Sequence, residues 1–312
     1  MRSVATRNAR YYIMMLVTTF LWGGSWVSGD LIVELAPPMA IGFLRFMVAL
    51  IPFLVLLRVY QHGLRRILAR EHLPVVLATA ITGILGYGVF FLIGMHYTTS
   101  AQGSIIAGLN PTTITIFSYI INRERLERRW QYLGLLLSFI GVVFVIGVQA
   151  LFEFRLDYLV GNLLIVLAMV NWGMYSALGK RAMRSLSSAE MTTGSILFGT
   201  LMFGVASVND WNDTVFLYSG EFWFHIFFLG ILVTFVGYIL FFESVKNLGG
   251  TRTGVFINLV PVFGVLLSVM ILGEELPWTF VTGLILILAG ISVINAPVSR
   301  GGPEALAGQK TS

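Results

Sequence analysis

Between Tyr11 and Asn295 the chain returns repeatedly to apolar stretches of about 20 residues, the length an α-helix needs to cross a bilayer. A backbone in hydrocarbon can satisfy its own hydrogen bonds only as a helix or a closed barrel, and apolar runs this long select the helix. Only 11% of the residues are charged and mean hydropathy is +0.85, whereas an ordinary soluble domain carries roughly 25% charged residues. No gap between the apolar runs could hold a separate soluble domain. The expected fold is all-α and integral to a membrane. The chain has no cysteine, which excludes disulfides, thiolate chemistry and cysteine metal sites.

Ten spans are read, at about 11–32, 38–58, 73–95, 103–122, 130–150, 159–179, 188–208, 221–242, 253–272 and 277–296. Charge tests this count independently. With the N-terminus inside, 18 of the 20 basic residues fall on inner segments, leaving Arg155 outside and Arg45 within span 2. Basic residues beside spans are retained in the cytoplasm, and a missed or invented span in mid-chain would scramble this partition. Both termini are therefore expected in the cytoplasm of a multi-pass cell-membrane protein. The outer loops are acidic, with Asp30, Glu34, Glu153, Asp157, Asp210, Asp213, Glu221, Glu274 and Glu275. The sequence pI near 9.6 thus reflects topology and contact with anionic lipid headgroups. No nucleic-acid partner is expected.

The two halves of the chain resemble each other. A shift of 150 lays Trp22-Gly23 on Trp172-Gly173, Gly29 on Gly179, Pro111 on Pro261, Ser118 on Ser268 and Glu124 on Glu274. A one-residue slip adds Gly86-Tyr87 on Gly237-Tyr238, Phe90-Phe91 on Phe241-Phe242, Gly134 on Gly283 and Gly141 on Gly290. Matched Trp, Pro, Tyr and Glu, in order along both halves, indicate a duplicated unit: residues 1–150 and residues 151–312, the second ending in a short tail. Each unit has five spans, an odd number, so the second enters the membrane from the opposite side. Inverted repeats of this kind are characteristic of secondary transporters, which bind substrate at the repeat interface and alternate its access to the two sides.

Several residues stand out against the apolar background. Pro111 and Pro261 fall in mid-span, where each removes a helix hydrogen bond and kinks the chain. Asn110 and Asn258 add polar side chains at the kinks, so cavity lining competes there with simple helix packing. Tyr87 and Tyr238 are each followed four residues on by a phenylalanine, Phe91 or Phe242, on the same helix face; the stripe suits packing, or a clamp for an amphipathic solute. Arg45 is an intramembrane charge that needs a partner; Asp30 and Glu34 are the candidates, and a structural pair is the alternative to an outer gate or a carboxylate site. Glu124 and Glu274 are expected to cap the N-termini of spans 5 and 10.

Ten spans, a five-span duplication, WGGSW in span 1, Arg45-Phe46 in span 2, and the paired segments LNPTTITIFSYIINRERL and LVPVFGVLLSVMILGEEL together resemble the drug/metabolite transporter superfamily of EamA type. The resemblance runs from about residue 12 to 296. It implies ten helices as two inverted five-helix repeats around a central cavity lined by spans 1, 3, 4, 6, 8 and 9. Members carry amino acids, sugars, nucleotide-linked compounds, drugs and other metabolites, so it does not name a substrate. The substrate is expected near the midplane among Trp22, Ser25, Trp26, Arg45, Tyr87, Phe91, Asn110, Trp172, Tyr175, Tyr238 and Asn258.

The chain has no HExxH, no phosphate-gripping GxxxxGK[ST] and no metal-ligand cluster. No catalytic residue, metal or cofactor is expected; any driving force must come from an ion or solute gradient, or the protein is a facilitator. The expected function is export of a small amphipathic metabolite such as an amino acid, with a proton or counter-substrate as the coupling partner. A phosphate site would normally use several Lys or Arg, which ranks a nucleotide-sugar or phosphometabolite exchanger second. A sensor or scaffold that transports nothing is the remaining alternative.

Overall fold

The apolar runs become helices wherever they are described. The structure, a computed structural model, describes residues 4–33, 35–59, 63–98, 100–152, 158–210, 218–273 and 275–296. Glu34, Glu153, Arg155, Asp157, Asp213 and Glu274 lie outside the described residues, as do Arg300, Lys310 and the side chain of Asp30. Nine helices among the described residues are long and apolar enough to cross a membrane: α1 (Asn8–Val33), α2 (Pro38–Val59), α3 (Leu73–His96), α4 (Ile105–Asn122), α5 (Arg129–Ile146), α6 (Leu159–Ala182), α7 (Ser188–Ala206), α8 (Gly220–Leu248) and α9 (Gly250–Ile271). A tenth, α10 (Phe280–Asn295), is equally apolar and 16 residues long. Ten membrane helices is the count that the charge partition predicted.

Helix pairing follows the inverted duplication. α1 packs on α8 and α9, and its counterpart α6 packs on α3 and α4. α2 pairs with α7, and α5 with α10, each helix against its own repeat mate. Glycines govern the closest of these approaches. A Cβ on Gly141 would lie 2.7 Å from the Gly283 carbonyl oxygen, and one on Gly134 would lie 2.6 Å from the Gly290 carbonyl oxygen. Lipid offers helices little hydrophobic drive to associate, so contact at backbone distance is what holds such a pair. The matched Trp-Gly pairs do the same for the other pairings: Gly23 lets α1 touch α9 at Phe263, and Gly173 lets α6 touch the α4 backbone at Thr113.

Two features depart from simple helices. α3 widens into a π-helix over Ala80–Gly86, and α8 does so over Phe228–Val236, at matching places in the repeats. Each π segment ends just before the paired tyrosine, Tyr87 or Tyr238. α4 is broken at Gly108 and Leu109 ahead of Pro111. α9 tightens to a 3-10 helix over Val255–Leu259 ahead of Pro261. Both prolines thus stand at the first turn of the second half-helix, where the missing N–H costs least.

The expected cap at Glu124 is not formed. α5 begins instead at Arg129 with a 3-10 turn, in which the Gln131 side chain accepts from the Arg128 backbone N–H at 3.0 Å. Glu124 is held by the other repeat, where it ion-pairs with Lys180 and accepts from the Gly250 N–H at 2.8 Å.

Gly141→Val should lower the thermal midpoint in detergent by the equivalent of about 1–3 kcal/mol, the usual cost of overpacking. Gly29→Ala, where nothing lies within 4 Å of the added carbon, should leave the midpoint unchanged.

Candidate central cavity

A cavity of about 490 Å3 lies between the repeats, within the size range of sites for small organic molecules. Its mouth is formed by Ile32 and Val33 at the end of α1, Met95 at the end of α3, Ile146 at the end of α5, and Glu275 and Pro277 before α10. Every one of these positions is at the end of the bundle opposite the arginine-rich segments. The cavity narrows inward onto a cluster of aromatic rings.

Trp172 is the hub of that cluster. Its ring centroid lies 5.2 Å from Trp22, 5.0 Å from Tyr87, 5.6 Å from Tyr238 and 5.5 Å from Tyr175. The contacts with Trp22, Tyr175 and Tyr238 are edge-to-face, the geometry that matches a positive ring edge to a negative face. Nearer the mouth, Phe91 stacks on Tyr87 at 5.6 Å and meets Trp26 edge-on at 5.4 Å. The two tyrosines flank Trp172 and are joined through it. Further in, Tyr175, Phe241 and Phe242 are completely buried and seal the floor.

The π-helices explain how the rings are placed. A π turn adds a residue per turn and shifts its backbone donors and acceptors out of the usual register. In α8, Thr234 donates to the Leu229 carbonyl five residues back at 2.8 Å, and the Trp22 indole N–H donates to the Val233 carbonyl at 3.1 Å. In α3, the bare backbone of Gly83 makes room for the Tyr175 ring.

Arg45 reaches the cavity from α2, and its Nε donates to the Thr234 hydroxyl at 2.9 Å. Its guanidinium also sits over the Phe46 ring at 5.2 Å. No carboxylate pairs with Arg45 among the described residues. Its expected partners, Asp30 and Glu34, lie outside what is described.

The structure brings Trp22, Ser25, Trp26, Arg45, Tyr87, Phe91, Asn110, Trp172, Tyr238, Asn258 and Pro261 onto the cavity wall. Tyr175 lies behind that wall and Pro111 is buried away from it. The wall also includes Phe203 of α7, together with Ile41, Gly42 and Phe46 of α2. The family resemblance implies a cavity lined by spans 1, 3, 4, 6, 8 and 9, and Arg45 is the one residue of spans 2 and 7 expected at the substrate. Gly42 and Gly88, both placed against the Phe203 ring, were the available signal.

Beneath the aromatic floor the two repeats are tied together. Lys180 pairs with Glu124, Arg252 with Glu127 at 3.2 Å, and Arg66 with Glu190 at 3.4 Å. Each pair joins residues of different repeats, and all three lie at the arginine-rich end. Among the described residues no group of three or more His, Asp or Glu could hold a metal ion.

Comparison with known proteins agrees with this architecture. A family model described as the EamA-like transporter family matches twice, over residues 9–147 and 159–296. The chain is 27% identical to the uncharacterized transporter YyaM of Bacillus subtilis (strain 168), covering 91% of this chain and 93% of the relative. It is 28% identical to the uncharacterized transporter YetK of the same organism, over 90% and 86% of the two chains. An uncharacterized transporter of Archaeoglobus fulgidus is 27% identical over 91% and 98%. A crystal structure of a protein 21% identical in sequence superposes with TM-score 0.79, covering 94% of this chain and 99% of the other, which shows a shared fold.

The chain has no native cysteine, so single cysteines can map the cavity. Met95→Cys and Trp26→Cys should react with a water-soluble maleimide added at the mouth side. Tyr175→Cys, behind the floor, should stay unlabelled in the folded protein and react only after denaturation.

Proposed function

Because this chain belongs to the EamA-like transporter family, we propose that it is a secondary transporter that exports small amphipathic metabolites, amino acids being the leading class. The carrying observation is the cavity at the repeat interface, apolar and aromatic in its walls, with one described cation and few other charges. Such a wall suits a zwitterionic or weakly polar solute. A phosphorylated one would call for several basic side chains, so the exchanger reading stays second. We place the arginine-rich end in the cytoplasm of a cell membrane by the positive-inside rule, which makes the cavity outward-open.

Alternating access then requires the outer mouth to close as the inner end opens. In this reading Glu124, Lys180 and the Gly250 N–H form an inner lock that holds the outward-open state. The repeat register lays Lys180 on Asp30 and Glu124 on Glu274. The corresponding outer lock would therefore have to bring together two carboxylates. Two carboxylates in contact favour a shared proton, which makes a proton the ion this reading calls for. Acid outside should then speed closure of the outer mouth, the return step of an exporter.

The test is efflux of a panel of radiolabelled amino acids from vesicles containing the purified protein. At least one should leave faster than from empty vesicles, and faster still with acid outside; Asp30→Asn should remove that acceleration. Absence of flux for the whole panel, beside a working control transporter, would overturn the amino-acid reading. Tyr238→Ala should reduce flux at least tenfold without lowering yield.

Lys180→Ala should weaken the inner lock, raising labelling of a cysteine at position 175 from the cytoplasmic side. The exchange of both charges, Lys180→Glu with Glu124→Lys, should restore protection. Equal labelling in all three backgrounds would exclude the lock.

A further inference from the structure

Four polar atoms in the cavity wall are buried and have no hydrogen-bond partner among the described residues: Asn258 Oδ1 and Nδ2, Asn110 Oδ1, and Trp172 Nε1. Asn258 is only 1% exposed and Asn110 7%. Buried polar groups are almost always paired, and inside a membrane that partner comes from the chain, from water entering the cavity or from a ligand. Comparison of the repeats sharpens the point. Trp22 uses its indole N–H on the Val233 carbonyl at 3.1 Å, whereas its repeat mate Trp172 leaves the same donor unused. Asn110 and Asn258 also break the symmetry, since the register lays them on Val260 and Gly108. The fold itself therefore does not require these four atoms, and they fall on elements that meet: the 3-10 segment of α9 packs on α4, and α4 packs on α6.

The set is chemically mixed. Asn110 Oδ1 and Asn258 Oδ1 accept, while Asn258 Nδ2 and Trp172 Nε1 donate. A bare carboxylate would leave both acceptors unmet, and a bare ammonium would leave both donors unmet. A head group bearing both donors and acceptors is the chemistry that matches the set. The aromatic rings beside it would take an apolar side chain without reading its shape closely.

We propose that Asn258, with Asn110 and Trp172, is a head-group subsite that requires donor and acceptor on the same substrate, and that it sets the specificity of this cavity. This rests on the transport reading above and goes further, because it names which substrate atoms are read and by which residues. A site built to hydrogen-bond a group discriminates steeply against analogues lacking it, since its own buried partners are then left unpaired.

The probes are L-leucine, 4-methylpentanoate, which lacks the amine, and 3-methylbutylamine, which lacks the carboxylate. Binding is followed by the fluorescence of the cavity tryptophans, and flux in vesicles by label. L-leucine should bind at least tenfold more tightly than either analogue. Asn258→Leu should reduce leucine affinity at least tenfold and bring the three probes close together. Asn258→Asp, nearly identical in shape, should shift preference towards the amine, which keeps the test informative if the leucine variant folds poorly. Flux of all three probes at similar rates, or an unchanged preference in Asn258→Asp, would overturn the subsite while leaving transport standing. Selective leucine binding without flux would support the subsite and overturn the transport reading. Neither binding nor flux of any probe would overturn both.

Discussion

Everything in this molecule depends on the requirement that a backbone in hydrocarbon satisfy its own hydrogen bonds. That requirement makes the spans helical, and it makes each departure from a regular helix meaningful. Departures occur at the π segments of α3 and α8 and at the breaks of α4 and α9, two matched pairs within an inverted duplication. Three of the four line the cavity, and the α3 π segment leads directly into Tyr87 on its wall. Irregular backbone is tolerated where it faces protein or a wet space, and here it delivers Tyr87, Asn110, Tyr238 and Asn258 to one place.

The closed and open ends of the cavity are closed and open by different physics. Towards the arginine-rich end, rings packed edge to face exclude water, and beneath them cross-repeat ion pairs join the halves. The Lys180–Glu124 and Arg252–Glu127 pairs are partly exposed, so either can break without leaving a charge stranded in hydrocarbon, whereas the Glu190 carboxylate that Arg66 meets is buried. The glycine seam between α5 and α10 is a different kind of contact. Its backbones approach directly at the glycines, with Ile287, Ile294 and Val145 packed alongside, which leaves little room for either helix to slide.

Much of the fold was legible because it rests on local rules. Spans are counted by hydropathy, while the duplication shows in matched Trp, Pro and Tyr. Most of the expected cavity residues do reach the wall. Tyr175 does not, because whether a helical residue faces the cavity or the packing behind it depends on the neighbouring helix, here the bare backbone of Gly83. Glu124 reads as a cap from its position beside α5, yet its partners are Lys180 and Gly250, 56 and 126 residues away along the chain. The π-helices left only a one-residue slip between the halves as a trace.

The sequence by itself determined the solvent, the helix count, the inverted pairing of halves and the family, since each follows from composition or from order along the chain. Only the tertiary structure decided which end of the cavity stands open, which indole is spent on the backbone and which is left free, and that Asn258 has no partner of its own among the described residues. Those outcomes arise from the meeting of groups distant in sequence. A near-symmetric duplication cannot announce its own asymmetry until both copies are packed against each other.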